Sequence, residues 1–293
     1  MILVTGASGS LGGLILSGLR ALPDLEVVAG TRTGDGRTAR RVDFDDPASL
    51  PAAFTGVDVL LAISAGYAED DVVLARHGAL VDAAAAAGVR QVIYTSLAAS
   101  GDSMTIALAH RWTEERLAAA PFAHTVLRNG LYTNVPLGLV GPQLAQAAAT
   151  GVLRAPLGGG RISVVVKQDL ADAAVRVAAE AQRDLAADRR HRHAGRVYEL
   201  EGETAIGGAE IAEALTAAYG RPISYEPSSL AASREALTAA GFPPFSVTHA
   251  LSIAANANAG RALARSSDLR ALLPAAPRSV PGALAAQVAP TQA

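Results

Sequence analysis

The chain has 293 residues, half of them hydrophobic, enough to bury a sizeable core in one large α/β domain or a main domain with a smaller companion. Its 25 basic and 27 acidic residues leave a net charge of −2, with no overall electrostatic footprint for nucleic acid or an anionic membrane, and the absence of cysteine excludes disulfides, thiolate metal sites and thiol catalysis. No apolar run approaches the roughly 18 residues of a membrane span, and a strand beginning at Met1 leaves no room for a signal peptide, so the expectation is a soluble, cytoplasmic protein with no metal, nucleic-acid or membrane partner.

Ile2-Leu3-Val4 is a short apolar run suited to a buried parallel strand. Thr5-Gly6-Ala7-Ser8-Gly9-Ser10-Leu11-Gly12 follows, with glycines at G-x-x-G-x-x-G spacing, and then Leu14, Ile15, Leu16 and Leu19 at helical intervals. Strand, glycine turn and helix in this order meet the demand of a dinucleotide pyrophosphate, which must approach the backbone closely and face the first N–H groups of a helix. Gly6 is expected to make the tight turn, Gly9 to allow the close approach and Gly12 to let helix pack on strand.

The second strand, Leu25 to Thr31, ends at Arg32. An acidic residue there, about 20 residues after the glycines, would bind a ribose 2′-hydroxyl; arginine suits a 2′-phosphate, so Arg32 favours NADP over NAD. Arg37, Arg40 and Arg41 follow in a Gly-rich stretch, read either as a solvated loop or as a further reach to that phosphate. Arg41 to Pro47 ends a third strand and starts a helix, with Asp45 or Asp46 as its cap and Pro47 in its first turn. Asp43 and Phe44 fall where an adenine ring would cross the strand ends, or else serve as turn former and core. Val57 to Ile63 is the fourth strand. Ligands of open α/β sheets bind beyond the carboxyl ends of the strands, so Ile63, Ser64 and Ala65 should border pyrophosphate and nicotinamide ribose.

A helix from about Asp71 to Ala87 carries His77, read as a surface or packing histidine. Val89 to Thr95 is the fifth strand, with Tyr94, Thr95 and Ser96 at its end. A helix from about Thr105 to Ala119 carries His110, and Phe122 to Leu127 is a sixth strand opening onto Arg128-Asn129-Gly130-Leu131-Tyr132. This alternation is the signature of a doubly wound parallel sheet, a Rossmann domain over residues 1–135. Pro136 to Pro142 reads as a break, followed by a short helix from Leu144 to Thr150. The helix from Gln168 to Gln182 is expected to pack on the first domain. Residues 136–165 and 183–273 form a smaller α/β substrate-side domain, in which the loop Phe242-Pro243-Pro244-Phe245 could overhang the substrate. Arg189-Arg190-His191-Arg192-His193 reads as a solvated loop, and residues 274–293 as a loose tail.

Taken together, the TGASGSLG start, Arg32, Leu60-Leu61-Ala62-Ile63-Ser64, Asp82-Ala83-Ala84, Ala87-Gly88-Val89, Tyr94-Thr95-Ser96-Leu97, Thr113-Glu114, Leu127-Arg128-Asn129-Gly130 with Tyr132, and Val197-Tyr198-Glu199-Leu200 resemble the atypical short-chain dehydrogenase/reductases of the NmrA-like group, and within it the type 2 NAD(P)H:quinone oxidoreductases. The resemblance spans about residues 1 to 225. It implies NADPH as reductant, a quinone-type acceptor, and cofactor contacts from Gly6, Ser8, Gly9, Ser10, Leu11 and Arg32, with Ile63, Ser64 and Thr95 on the nicotinamide side. Family members often have an asparagine a few residues past the aromatic that follows R-N-G; Asn134 lies near that place, shifted by about one.

The common short-chain dehydrogenase mechanism pairs a tyrosine acid with a lysine four residues later, and no Tyr-x-x-x-Lys occurs here: the single lysine is Lys167, preceded at that spacing by Ser163. Reducing a simple ketone needs a positioned acid, worth roughly 100- to 10,000-fold. A quinone needs less help, because aromatisation stabilises its reduced oxygens and proximity of a nicotinamide within about 3–3.5 Å does most of the work. Asn129, Tyr132 and His110 are the candidate hydrogen-bond donors to the developing oxyanion. The expected function is an NADPH-dependent reductase of quinones or related conjugated electrophiles, as a monomer or homodimer. The alternatives are an NADP-sensing regulator that binds a protein partner without turnover and, more remotely, a sugar-nucleotide epimerase relative.

Overall fold

A computed structural model describes residues 1–189 and 191–288, the side chain of Pro142 excepted. The first half alternates β1 (Ile2–Val4), α1 (Ser10–Arg20), β2 (Val27–Thr31), β3 (Ala39–Arg41), α2 (Leu50–Phe54), β4 (Val59–Ile63), α3 (Asp70–Ala86), β5 (Gln91–Leu97), α4 (Ala107–Ala118) and β6 (Ala123–Asn129). Then follow β7 (Leu131–Tyr132), α5 (Asn134–Thr150), β8 (Val152–Ala155), β9 (Arg161–Val165), α6 (Lys167–Ala186), β10 (Arg196–Leu200), β11 (Thr204–Gly207), α7 (Gly208–Tyr219), β12 (Ser224–Pro227), α8 (Leu230–Ala239), α9 (Pro244–Asn258), α10 (Leu269–Leu272) and α11 (Val280–Val288).

Seven strands form one parallel sheet in the order β10-β6-β5-β4-β1-β2-β3. Strands buried on both faces read as continuous apolar runs, as Val59 to Ile63 does, and Gln91 to Leu97 is buried throughout around its own run Val92 to Tyr94. α1 and α6 cover one face through Ile15, Leu19, Ala174 and Val177; α2, α3 and α4 cover the other through Phe54, Leu80, Ala84 and Leu117. The chain is therefore a doubly wound α/β fold, and its strand order reverses between β1 and β4. That switch point opens a crevice beyond the carboxyl ends of the strands. β10 is an edge strand of this sheet, register-paired with β6 from Arg196↔Thr125 to Leu200↔Asn129, and so does not belong with the substrate-side elements among which residues 183–273 were expected.

The second apolar cluster is built by α5, α7, α9, the three-stranded sheet β11-β9-β7 and the two-stranded sheet β12-β8. Here three expectations need correction. The supposed break at Pro136 to Pro142 lies inside the 17-residue α5, which starts at Asn134 and ends on the left-handed Gly151. Pro136 falls in its first turn, where a missing N–H costs no helical hydrogen bond, and Leu137, Val140 and Ala147 supply the buried stripe.

The tail is not loose over its described part. Val280, Leu284 and Val288 recur at four-residue intervals and bury one side of α11 against the same cluster, while Arg278 ion-pairs with the buried Asp169 and with Asp172. Residues 289–293 lie outside the described residues. Arg189 and Arg192, from the basic run, both pair with the buried Asp184, and His193 is buried between Glu180 (2.9 Å) and the Tyr198 hydroxyl (2.8 Å). The run is a loop on which Arg189 and Arg192 stay exposed, as expected, but His193 is buried and the ion pairs fasten the end of α6; Arg190 lies outside the described residues.

If α11 is part of the core, Leu284→Ala removes a buried side chain and costs about 2–5 kcal/mol, seen as a lower urea midpoint at unchanged slope. A change within about 0.5 kcal/mol, as at a surface site, would show the tail to be dispensable.

Candidate active site

The glycine turn between β1 and α1 is built from its backbone. Gly6 is left-handed at φ 59°, and a Cβ on Gly12 would run into the Gly6 carbonyl oxygen and come to 3.0 Å from the Ile63 side chain. Gly9 donates its N–H to that carbonyl at 2.9 Å, and the first helical bond is Gly13 to Gly9. The N–H groups of Ser10, Leu11 and Gly12 therefore have no acceptor within the helix. No acidic residue occupies the first turn of α1, so an incoming anion meets no competing carboxylate there. Leu11 is buried, which leaves its backbone as its only means of contact.

From this turn a cleft of about 470 Å³ runs along the strand ends between Gly6, Ser8 and Gly9 on one side and Arg32, Asp43, Phe44, Ile63 and Ser64 on the other. Arg32 is exposed at its rim and, among the described residues, makes no ion pair. The other arginines of that stretch are largely engaged: Arg40 donates to the carbonyls of Ala53 and Thr55, and Arg41 pairs with Asp46. Asp43 and Phe44 take the turn-forming and core-packing places expected of them. Asp43 accepts the Asp45 N–H in a turn, Phe44 packs against the core, and both line the cleft. The sequence reading missed Arg76, which grips Asp45 through two hydrogen bonds, donates to the Ala65 carbonyl at 3.2 Å and forms part of the wall; 31 residues separate it from Asp45.

Three successive backbone N–H groups at the end of β4 are each held by a side chain. Ile63 donates to Thr5 Oγ1 (2.9 Å), Ser64 to Thr95 Oγ1 (3.0 Å) and Ala65 to His77 Nε2 (3.0 Å). The third bond fixes the state of His77. Nε2 must be an unprotonated acceptor, and Nδ1–H then donates to Thr113 Oγ1, whose own hydroxyl donates to the Ala109 carbonyl. Burial, reinforced by the Arg76 charge, pushes this imidazole down to about 4, so it is neutral at pH 7.

Past Ile63, Ser64 and Gly66 the cleft continues into a second pocket of about 200 Å³, lined by Thr95, His110, Asn129, Tyr132 and Val135 among others. All three candidate donors meet here. Burial raises the Tyr132 hydroxyl, opposed by a hydrogen bond from the Asn129 amide, so Tyr132 keeps its proton. Asn129 is itself buried, with Oδ1 unpartnered. His110 Nδ1 lies 2.9 Å from the buried Tyr94 hydroxyl, and desolvation pushes the ring down to about 3, again neutral. Lys167, distant in sequence, reaches the site from the start of α6: Nζ donates to Ser10 Oγ at 2.9 Å and lies 5.2 Å from the Tyr132 ring centroid. Asn134 is the first residue of α5 and does not line this pocket. At the outer rim Tyr67 meets Phe245 edge to face at 5.1 Å, linking the loop after β4 to α9. Among the described residues no cluster of His, Asp or Glu is arranged to hold a metal ion, and no helix is long and apolar enough to cross a membrane.

The model of the NmrA-like family matches residues 1–260. The chain belongs to the NmrA-like family. It is 34% identical over 257 residues to quinone oxidoreductase 2 of Escherichia coli, covering 83% of each chain, and 30% identical over 255 residues to the NAD(P)H azoreductase of Xenophilus azovorans, covering 83% of this chain and 82% of that one. The crystal structure of the Escherichia coli NADPH-dependent quinone oxidoreductase in complex with NADPH superposes with a TM-score of 0.83 at 30% identity, over 98% of this chain and 99% of that one.

Between pH 6.5 and about 3 the unfolded NmrA-like chain binds protons at His77 and His110 that the native fold refuses. Both native values lie below the ordinary one, so this part of the stability is whole above about pH 6.5 and is lost as pH falls toward them. His110→Phe removes one of the two titrations. The difference in unfolding free energy between pH 7 and 4.5 is expected to be smaller in that variant than in wild type, as measured by urea titration; an unchanged difference would show that His110 titrates normally.

Proposed function

We propose that the chain is an NADPH-dependent reductase that transfers hydride to a quinone or a related conjugated electrophile. The observation that carries this reading is the continuity of the groove: an anion-binding helix start and Arg32 at one end, Ser64 and Gly66 in the middle, and a pocket of neutral donors at the other. The residues fit a phosphorylated dinucleotide. The close approach at Gly9, the three N–H groups of the first turn of α1 and the exposed guanidinium of Arg32 suit a pyrophosphate and a 2′-phosphate, and the buried Asn129 Oδ1 offers an acceptor to a carboxamide or hydroxyl. Bound there, the nicotinamide supplies a hydride.

The chain's own part is to hold the acceptor against that ring and to answer the charge that develops on it. Tyr132, kept protonated by burial and lining the pocket, has an O–H to donate to an acceptor oxygen. His110, whose Nδ1 is joined to the Tyr94 hydroxyl, supplies a second donor in the tautomer that carries its proton on Nε2. The acceptor takes up a hydride and one proton, and the product hydroquinone leaves with both. Relatives described as quinone, azo-compound and triphenylmethane reductases support turnover over a purely sensory role.

The test is acceptor-dependent loss of nicotinamide absorbance on mixing protein, NADPH and a series of quinones; no loss with any acceptor would count against the reading. Arg32→Ala is expected to weaken NADPH binding by about 10- to 100-fold while leaving NADH nearly unchanged, the size of one charge-assisted hydrogen bond. Tyr132→Phe keeps the ring and removes the O–H. It should lower kcat by about 100-fold, comparable to loss of one oxyanion donor, with the NADPH Kd unchanged.

A further inference from the structure

We propose that Lys167 is a coenzyme-binding residue, its ammonium seating the pyrophosphate and adjoining ribose of the dinucleotide at the first turn of α1. The inference rests on the proposed reading of the cleft as an NADPH site.

Lys167 opens α6, and α6 packs against α1, so the two helices bring their starts together. Its Nζ reaches Ser10 Oγ, on the first residue of α1, beside the unsatisfied N–H groups of that turn. Two helix N-termini, each with partial positive charge, meet at the ammonium; the first turn of α1 holds no carboxylate, and the one in the first turn of α6, Asp169, is neutralised by Arg278. A lysine at the start of a helix is on the unfavourable end of the dipole, and no carboxylate lies within ion-pair distance of it among the described residues. The acidic residues nearest in sequence, Asp169 and Asp172, are both taken by Arg278. Burial also depresses the ammonium. A cation placed against two like-signed dipoles costs stability unless an anion joins it, and a diphosphate at the glycine turn is such an anion. The position has a second consequence. Lys167 lies over the Tyr132 ring, which lines the acceptor pocket, so one side chain spans the seat of the phosphates and the wall against which the acceptor would stack.

Because the chain has one lysine, an amine reagent reports on this side chain and the α-amino group only, and the Met1 amino group, held by Asp58 at the amino ends of β1 and β4, serves as internal control. The intact protein is treated with an acetylating ester with and without saturating NADPH, and acetylation of Lys167 and Met1 is followed by peptide mass spectrometry. NADPH should slow acetylation at Lys167 by about tenfold or more and leave Met1 unaffected. In parallel, Lys167→Met should raise the NADPH Kd, read from coenzyme fluorescence, by about tenfold, and Lys167→Arg should bring it back to within a few-fold of wild type. NADPH binding to wild type with unprotected Lys167 and an unchanged Kd in Lys167→Met would overturn this proposal alone. Failure of NADPH to bind wild type would overturn the reading of the cleft, and this proposal with it. The labelling arm needs no variant, so it decides the matter even if Lys167→Met does not fold.

Discussion

Gly12 rests on the Gly6 carbonyl with no room for a side-chain carbon, and the same spot touches Ile63 at the end of β4. That contact fixes how close to the sheet α1 can begin. Because β1 and β4 are the strands between which the chain reverses direction, it also fixes the place where the first N–H groups of α1 emerge. A larger residue would push the helix start away from the sheet and turn those groups out of the crevice. The groove beyond the strand ends inherits its geometry from this one steric constraint.

The floor of the groove is held by a different device. Three consecutive N–H groups at the end of β4 bond to side chains, and Thr5, Thr95 and His77 each take one. Buried donors left unpaired would cost about 1–3 kcal/mol apiece, so the loop is pinned where it would otherwise be free to move. The clamp works because His77 is neutral: a protonated imidazole has no lone pair to offer Ala65. Its burial against α4 therefore has a functional consequence at the loop, reached through Thr113 and the backbone of Ala109.

The sheet, the glycine turn and Arg32 were legible because each is written in a short stretch: continuous apolar runs for buried parallel strands, glycine spacing for a tight turn, one basic residue at a strand end. The errors share a cause. α5 passes through prolines that local rules read as a break, because the burial of Leu137, Val140 and Ala147 outweighs propensity. The described part of the tail is helical because an apolar cluster formed by remote segments accepts Val280, Leu284 and Val288. In the basic run His193 is buried because Glu180, on α6, and Tyr198, on β10, take its two ring nitrogens, while the exposed Arg189 and Arg192 partner the buried Asp184. Within the site, Arg76 with Asp45 and Lys167 with Ser10 are pairings across 31 and 157 residues that no spacing rule encodes.

The pocket differs from a ketone reductase site in the kind of proton donor it holds. An alkoxide formed from a simple ketone is strongly basic and must be met by an acid tuned toward neutrality, the role of a lysine-assisted tyrosine. Here burial drives the other way. It raises the hydroxyls of Tyr94 and Tyr132 and lowers His110, so each stays in its neutral, hydrogen-bonding form. Neutral donors stabilise a developing oxyanion without giving up a proton early, which is sufficient when the product oxygen belongs to an aromatic ring and is weakly basic. Substrates whose electrons become aromatic or extensively conjugated on accepting hydride are the ones such a pocket can serve. The proposed acceptor class thus follows from how the donors are desolvated, and from Lys167 standing over the face of Tyr132 in place of a partner four residues along the same helix.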